Sequence, residues 1–170
     1  MHKPIYFTLI LLFCAFASAQ TNSDRITEKD EAVELTEQYF KNILSAKYEL
    51  AYSSLAPTLK QYFTEAGWFK GKKEFVLLAG KLNTFKASRV TVYNNPPNAK
   101  PGLYVAVDYY NNFDNLPVHC GYLVWFKEEN SERDPQIIRE ETGYITKAQM
   151  SETSKEQLED LEQRLRCVRP

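Results

Sequence analysis

The chain is short of the residues that most catalytic and nucleic-acid chemistry requires. It has two histidines, His2 and His119. A single histidine in the body of the chain, with no nucleophile motif near it, gives no support to Ser-His-Asp or Cys-His catalysis. The three cysteines, Cys14, Cys120 and Cys167, show none of the Cys/His spacing of a zinc site, so no metal is expected. There is no Gly-x-x-x-x-Gly-Lys and no Gly-x-Gly-x-x-Gly segment, so no nucleotide cofactor is expected either. Long runs of one charge are absent. The 21 Lys and Arg are interspersed with 22 Asp and Glu, for a formal charge of −1, which argues against nucleic acid or an anionic membrane surface as partner. After Ala19 no apolar run is long enough to span a bilayer. No internal repeat or low-complexity tract is visible.

What is present begins with a leader. "MHKP" is a short basic start, "IYFTLILLFCAFA" an apolar core, and "ASA" a small-x-small cleavage site ending at Ala19. Residues 1–19 therefore read as a signal peptide cleaved after Ala19, and the protein as exported, periplasmic or secreted. Phe13, immediately before Cys14, is too large for lipoprotein processing at that cysteine. Cleavage removes Lys3 alone among the charges, and about 150 residues remain, enough for one domain with its own core. It also leaves Cys120 and Cys167 as an even pair, which in an exported chain invites a disulfide. The alternative is one buried thiol and one free thiol on the tail.

Residues 20–30 are polar and are expected to be flexible, with Thr27 as a helix N-cap. From 28 to 46 the apolar residues Ala32, Val33, Leu35, Tyr39, Phe40, Ile43 and Leu44 recur at helical spacing. "AKYELAYSSLA" is a shorter helix stopped by Pro57, and "TLKQYFTEAGWF" an irregular or briefly helical piece. "KKEFVLLAGKLNTF" is a third helix with Phe75, Leu78, Ala79 and Leu82 on one stripe. Strands follow. "ASRVTVYNN" alternates, and "PPNAKPG" is a loop turning at Gly102. "LYVAVDYYNNF" and "LPVHCGYLVWFK" form an antiparallel hairpin around Asp114–Asn115. "QIIREETGYIT" is the last strand, and "SETSKEQLEDLEQRLR" a final helix with Leu158, Leu161 and Leu165 on one side. Helices first and strands after make an α+β domain, with N-terminal helices packed on a curved antiparallel sheet and a C-terminal helix added over 148–170.

Several of these residues resemble the DUF4019 family of exported bacterial domains of unknown function. They are Trp68 opening a helix, Gly80 near that helix's end, the Pro-rich run into Gly102-Leu103-Tyr104, Tyr109 and Phe113 four apart, and the Gly143-Tyr144-Ile145 triplet. The resemblance covers about residues 31–147. It implies an NTF2-like or cystatin-like cone, a sheet wrapped around a few helices. The tryptophan that the family carries shortly before its last Gly-Tyr is missing here, where "IIREET" stands. The family supplies no activity to carry over, and folds of this kind host enzymes, carriers and scaffolds alike.

Candidate site residues follow from the faces of the strands. In the first hairpin strand Leu103, Val105, Val107 and Tyr109 form the more apolar face, which places Tyr104, Ala106, Asp108 and Tyr110 outside. Asp108 is the one carboxylate offered as a catalytic group, and facing outward it reads rather as a solvated or hydrogen-bonded strand residue. In the second strand Val118, Cys120, Tyr122, Val124 and Phe126 are taken as the inner face, and His119, Gly121, Leu123, Trp125 and Lys127 as the outer. Tyr104, Tyr110, Leu123 and Trp125 then make an outer apolar patch that a second copy of the chain or the C-terminal helix would cover. Inside, Tyr39, Trp68, Tyr109 and Tyr122 are candidates to line a ligand cavity. Of Glu140 and Glu141, which alternate, at most one looks inward. The function expected is binding of a small apolar ligand or a protein partner. Alternatives are an isomerase- or hydratase-like enzyme using an inward carboxylate, or a homodimeric assembly protein.

Overall fold

A computed structural model describes residues 22–170, with side chains from residue 28; the expected leader lies outside the described residues. Helix α1 (Asn22–Leu44) runs through Thr27, which is therefore not its cap. Its inward stripe is Ala32, Thr36, Tyr39, Phe40 and Ile43, all buried, at the three- and four-residue spacing of one helix face. Thr36 is tolerated there because its hydroxyl donates to the Ala32 carbonyl at 2.8 Å. Two short helices follow, α2 (Tyr48–Ser53) and α3 (Pro57–Lys60).

Helix α4 (Glu65–Ala79) differs from the expected third helix at both ends. Thr64 caps it by accepting from the Gly67 N–H at 3.1 Å, so it begins before Trp68. Gly80, at φ 74°, ends it, a conformation that costs glycine little and other residues more. Leu82 consequently starts strand β1 (Leu82–Thr84) instead of closing the helix. The buried stripe shifts with the boundaries: Trp68 and Ala79 are buried, and Leu78 is 41% exposed.

The sheet has five strands, β1, β2 (Ala87–Asn94), β3 (Gly102–Phe113), β4 (Val118–Glu128) and β5 (Gln136–Ile145). All pair antiparallel, in the order β1-β3-β4-β5, with β2 also on β3. The β3–β4 turn is closed by the Phe113 N–H donating to the Leu116 carbonyl at 2.9 Å. The fold class is α+β: N-terminal helices on one face of an open antiparallel sheet, with C-terminal helices on the other. The main core lies between α1, α2, α4 and the inner face, around Tyr39, Phe40, Ile43, Leu55, Val107, Tyr109, Leu123, Trp125 and Ile137.

At the C-terminus α5 (Lys147–Ser151) and α6 (Lys155–Arg164) each start with a capping box, Thr146 with Gln149 and Ser154 with Gln157. Leu158, Leu161 and Leu165 pack against Val118, Cys120 and Ile145 on the outer face. A disulfide joins Cys120 to Cys167, with Cα atoms 5.4 Å apart and a sequence separation of 47. Among the described residues no helix is long and apolar enough to cross a membrane.

Candidate functional site

The hairpin register decides which side chains meet. Directly opposed residues on antiparallel strands share a face. Val105 faces Trp125, Val107 faces Leu123, and Asn111 faces His119. Leu123 and Trp125 thus belong to the inner face, not to the outer patch where their apolar neighbours suggested placing them. Both are buried in the main core, and the Trp125 indole N–H donates to Thr36 Oγ1 at 2.8 Å. By the same pairing Tyr122, expected inside, stands outside opposite Asp108 and Glu141. The physical reason is that β4 is apolar on both sides. Its outer residues Val118 and Cys120 look like core because α6 covers them, so alternation alone could not select a face.

A bulge in β5 makes the second decision. Val124 pairs with Arg139 while Trp125 pairs with Ile137, so one residue is extra. Strict alternation from inward-facing Ile137 would turn Arg139 and Glu141 inward. The bulge instead points Glu140 and Thr142 in, opposite Leu123 and Gly121. Glu141 is left outside, paired with Arg139.

Between α1, α3, α4 and the inner ends of β4 and β5 lies a pocket of about 430 Å³. Its walls are apolar: Phe40, Ile43, Leu59, Phe63, Trp68 and Phe75. Gly67 and Gly71 on α4 also line it. A methyl group added at Gly71 would meet nothing within 4 Å, so this glycine leaves open space beside the helix. Four polar side chains reach the same pocket: Lys72, His119, Glu140 and Thr142.

These groups are tied together. Lys72 Nζ lies 2.6 Å from Glu140 Oε1, with both side chains less than a fifth exposed. The Tyr39 hydroxyl donates to Glu140 Oε2 at 2.9 Å. Burial first, then the Glu140 carboxylate, pushes the Tyr39 hydroxyl pKa well above its ordinary value. The Lys72 ammonium also stands 5.2 Å from the Trp68 ring centroid and 5.6 Å from that of Tyr39, close enough for cation–π attraction. On the floor, His119 is held at both nitrogens. Asn111 Nδ2 donates to Nδ1 at 3.3 Å, which leaves the proton on Nε2, 2.9 Å from Thr142 Oγ1. Burial, helped by the Lys72 charge, lowers the His119 pKa from 6.5 to about 3, so the ring is neutral at physiological pH. Beside it Tyr109, wholly buried, donates to the Glu141 carbonyl at 3.2 Å. Gly121 permits that approach: a Cβ there would lie 2.8 Å from the Tyr109 hydroxyl and 2.0 Å from the Glu141 carbonyl oxygen.

The structure brings together only part of the expected set. Trp68 lines the pocket. Tyr39 and Tyr109 lie behind its polar wall, and Tyr122 is on the other side of the sheet. Asp108 is on the outer face with Arg89, Nε to Oδ2 2.8 Å. Tyr104 stacks against Phe126 on that face, ring centroids 4.7 Å apart, and Tyr110 packs beside α6. Lys72, His119, Glu140 and Thr142 line the pocket without standing among the residues expected there. For Lys72 a local signal exists, since it follows Trp68 by four residues on one helix face. For the other three none does, because the hairpin register and the bulge aim them. Among the described residues, no three His, Cys, Asp or Glu side chains gather as a metal ion would require.

A family model described as "Protein of unknown function (DUF4019)" matches residues 35–134. No curated protein and no solved structure matches the chain. The matched span holds Tyr39, Trp68, Lys72 and His119, and ends before Glu140 and Thr142.

Proposed function

The chain belongs to the DUF4019 family, and on that premise we propose that it is an exported binding domain holding a small, largely apolar molecule in the pocket between α1, α4 and the sheet. The observation that carries this is the pocket itself. Its volume lies in the range of small-molecule sites, roughly 300–1,000 Å³, and it joins an apolar wall to a few convergent polar groups. Export is supported by the leader pattern over 1–19 and by the Cys120–Cys167 disulfide, which suits an oxidising compartment. An NTF2-like cone is supported by the helix-then-sheet order.

An isomerase- or hydratase-like enzyme would need a free inward carboxylate. Among the described residues the inward one on β5 is Glu140, and it is held in an ion pair with Lys72 and accepts from Tyr39. Binding is therefore the better supported role. A homodimer through the outer face loses Leu123 and Trp125, and α6 already packs against Tyr110.

Native mass spectrometry of the protein recovered from its own compartment tests the proposal. A polypeptide beginning at Gln20, with an added mass that denaturation releases, is the expected result. A bare protein that also fails to take up apolar probes would overturn the binding role, and an uncleaved Met1 start would overturn export.

A further inference from the structure

Resting on that binding role, we infer that the pocket selects an uncharged molecule: an aromatic or aliphatic body carrying one amide-like group, a hydrogen-bond donor beside an acceptor. Four observations lead there. First, among the described residues the charges on the wall are Lys72 and Glu140, and they are 2.6 Å apart. A carboxylate ligand drawn to Lys72 would bring its charge against Glu140, and an amine drawn to Glu140 would bring its charge against Lys72. Attraction and repulsion at such similar distances nearly cancel, while the water lost from a charged ligand is not repaid. Second, the pair has capacity left. An ammonium has three donors and a carboxylate about four acceptor positions, and this pair uses one donor on Glu140, one acceptor for Lys72 and one for Tyr39. A group that accepts from Lys72 and donates to Glu140 therefore fits both at once, and an amide offers both within one planar unit. Third, the remaining polar wall is neutral. His119 spends its Nε2 proton on Thr142 and its Nδ1 lone pair on Asn111. Fourth, much of the remaining lining is aromatic, with Phe63, Trp68 and Phe75 offering ring surface to the ligand body. The space beside Gly71 is the way in that a larger side chain would close.

The test uses three probes of one shape: 1-naphthylacetamide, 1-naphthylacetate and 2-(1-naphthyl)ethylamine. The chain has two tryptophans, Trp68 and Trp125, so the two indole N–H signals in a nitrogen-15 NMR titration separate the pocket from the core. The amide is expected to bind at least tenfold more tightly than either charged probe, moving the Trp68 signal and not that of Trp125. Gly71→Leu should abolish the shift. Glu140→Gln, which keeps shape and leaves Lys72 unopposed, should reverse the preference toward the acetate. Equal or tighter binding of the acetate or amine at Trp68 in the unaltered protein would overturn the neutral class and leave the pocket standing. If no probe moves Trp68, the binding role falls with it.

Discussion

The two faces of the sheet each carry a strand carboxylate paired to a basic side chain, and the pairs differ in what they can do. On the outer face the buried Asp108 carboxylate meets Arg89, whose side chain is 60% exposed, so water reaches the pair from the arginine side. On the inner face Glu140 and Lys72 are both largely buried, backed by Tyr39 and bordering an apolar pocket. There each charge depends on the other, because removing either strands its partner away from water. Both carboxylates are largely buried, but one is paired with an arginine that reaches into water and the other with a lysine enclosed beside a pocket. What separates them is the face to which register assigns them.

That contrast can be broken most sharply at adjacent positions of β4. Trp125→Ala, on the inner face, is expected to lose about 3–5 kcal/mol through the cavity it leaves, and it also strips Thr36 of its indole partner. Phe126→Ala, on the outer face, should lose about 1 kcal/mol, near the centre of what point substitutions cost. Urea unfolding of both proteins measures the difference, and the opposite ranking would mean that the register is off by one.

A smaller effect is expected from the outer side's own fastening. Reducing the Cys120–Cys167 bridge removes a closure over 47 residues and should cost about 2–4 kcal/mol. The loss should fall on α6 and leave the Trp68 environment unchanged. Urea melts with and without reductant, followed by the Trp68 indole signal, check this. A cost below about 1 kcal/mol would show that the leucine stripe of α6 holds by itself.

The smallest effect per step belongs to pH, and it belongs to the inner face. The unfolded chain takes up a proton on His119 near pH 6.5, the folded chain only near pH 3. Between those values the unfolded state binds more protons, so acid destabilises the fold and raising the pH restores it. The slope is about 1.4 kcal/mol per pH unit inside that window, with the full stability present above it. Unfolding midpoints at pH 7, 5.5 and 4.5 should show this fall, and His119→Gln should flatten it. An unchanged slope in that variant would mean that other groups carry the acid sensitivity.

Much of the fold was legible because its signals are local. The α1 stripe, the alternation of β2 and β3, the leucine side of α6 and the proline-rich loop before Gly102 all declare themselves within a few residues. The boundaries of α4 were less so. The Thr64 cap and the Gly80 stop outweigh an apolar stripe that continues past the helix into β1. Of the four residues offered for a cavity, Trp68 is the one that lines this pocket. Glu140 and Glu141 cannot be told apart as neighbours, and on an evenly apolar strand alternation gives no way to see that Leu123 and Trp125 face the core.

The helices-then-strands order, the α+β class, the family and the pair of cysteines available to bridge can all be read along the chain. Those follow from propensities, spacing and composition, which act between near neighbours. That Trp125 belongs to the core, that Glu140 looks inward and that His119 sits neutral beneath a pocket depends on contacts between segments far apart in the chain. A strand's faces are equivalent until its partners choose between them. Here the choice was made by a hairpin register, by one extra residue in β5, and by a C-terminal helix that makes the outer face as apolar as the inner.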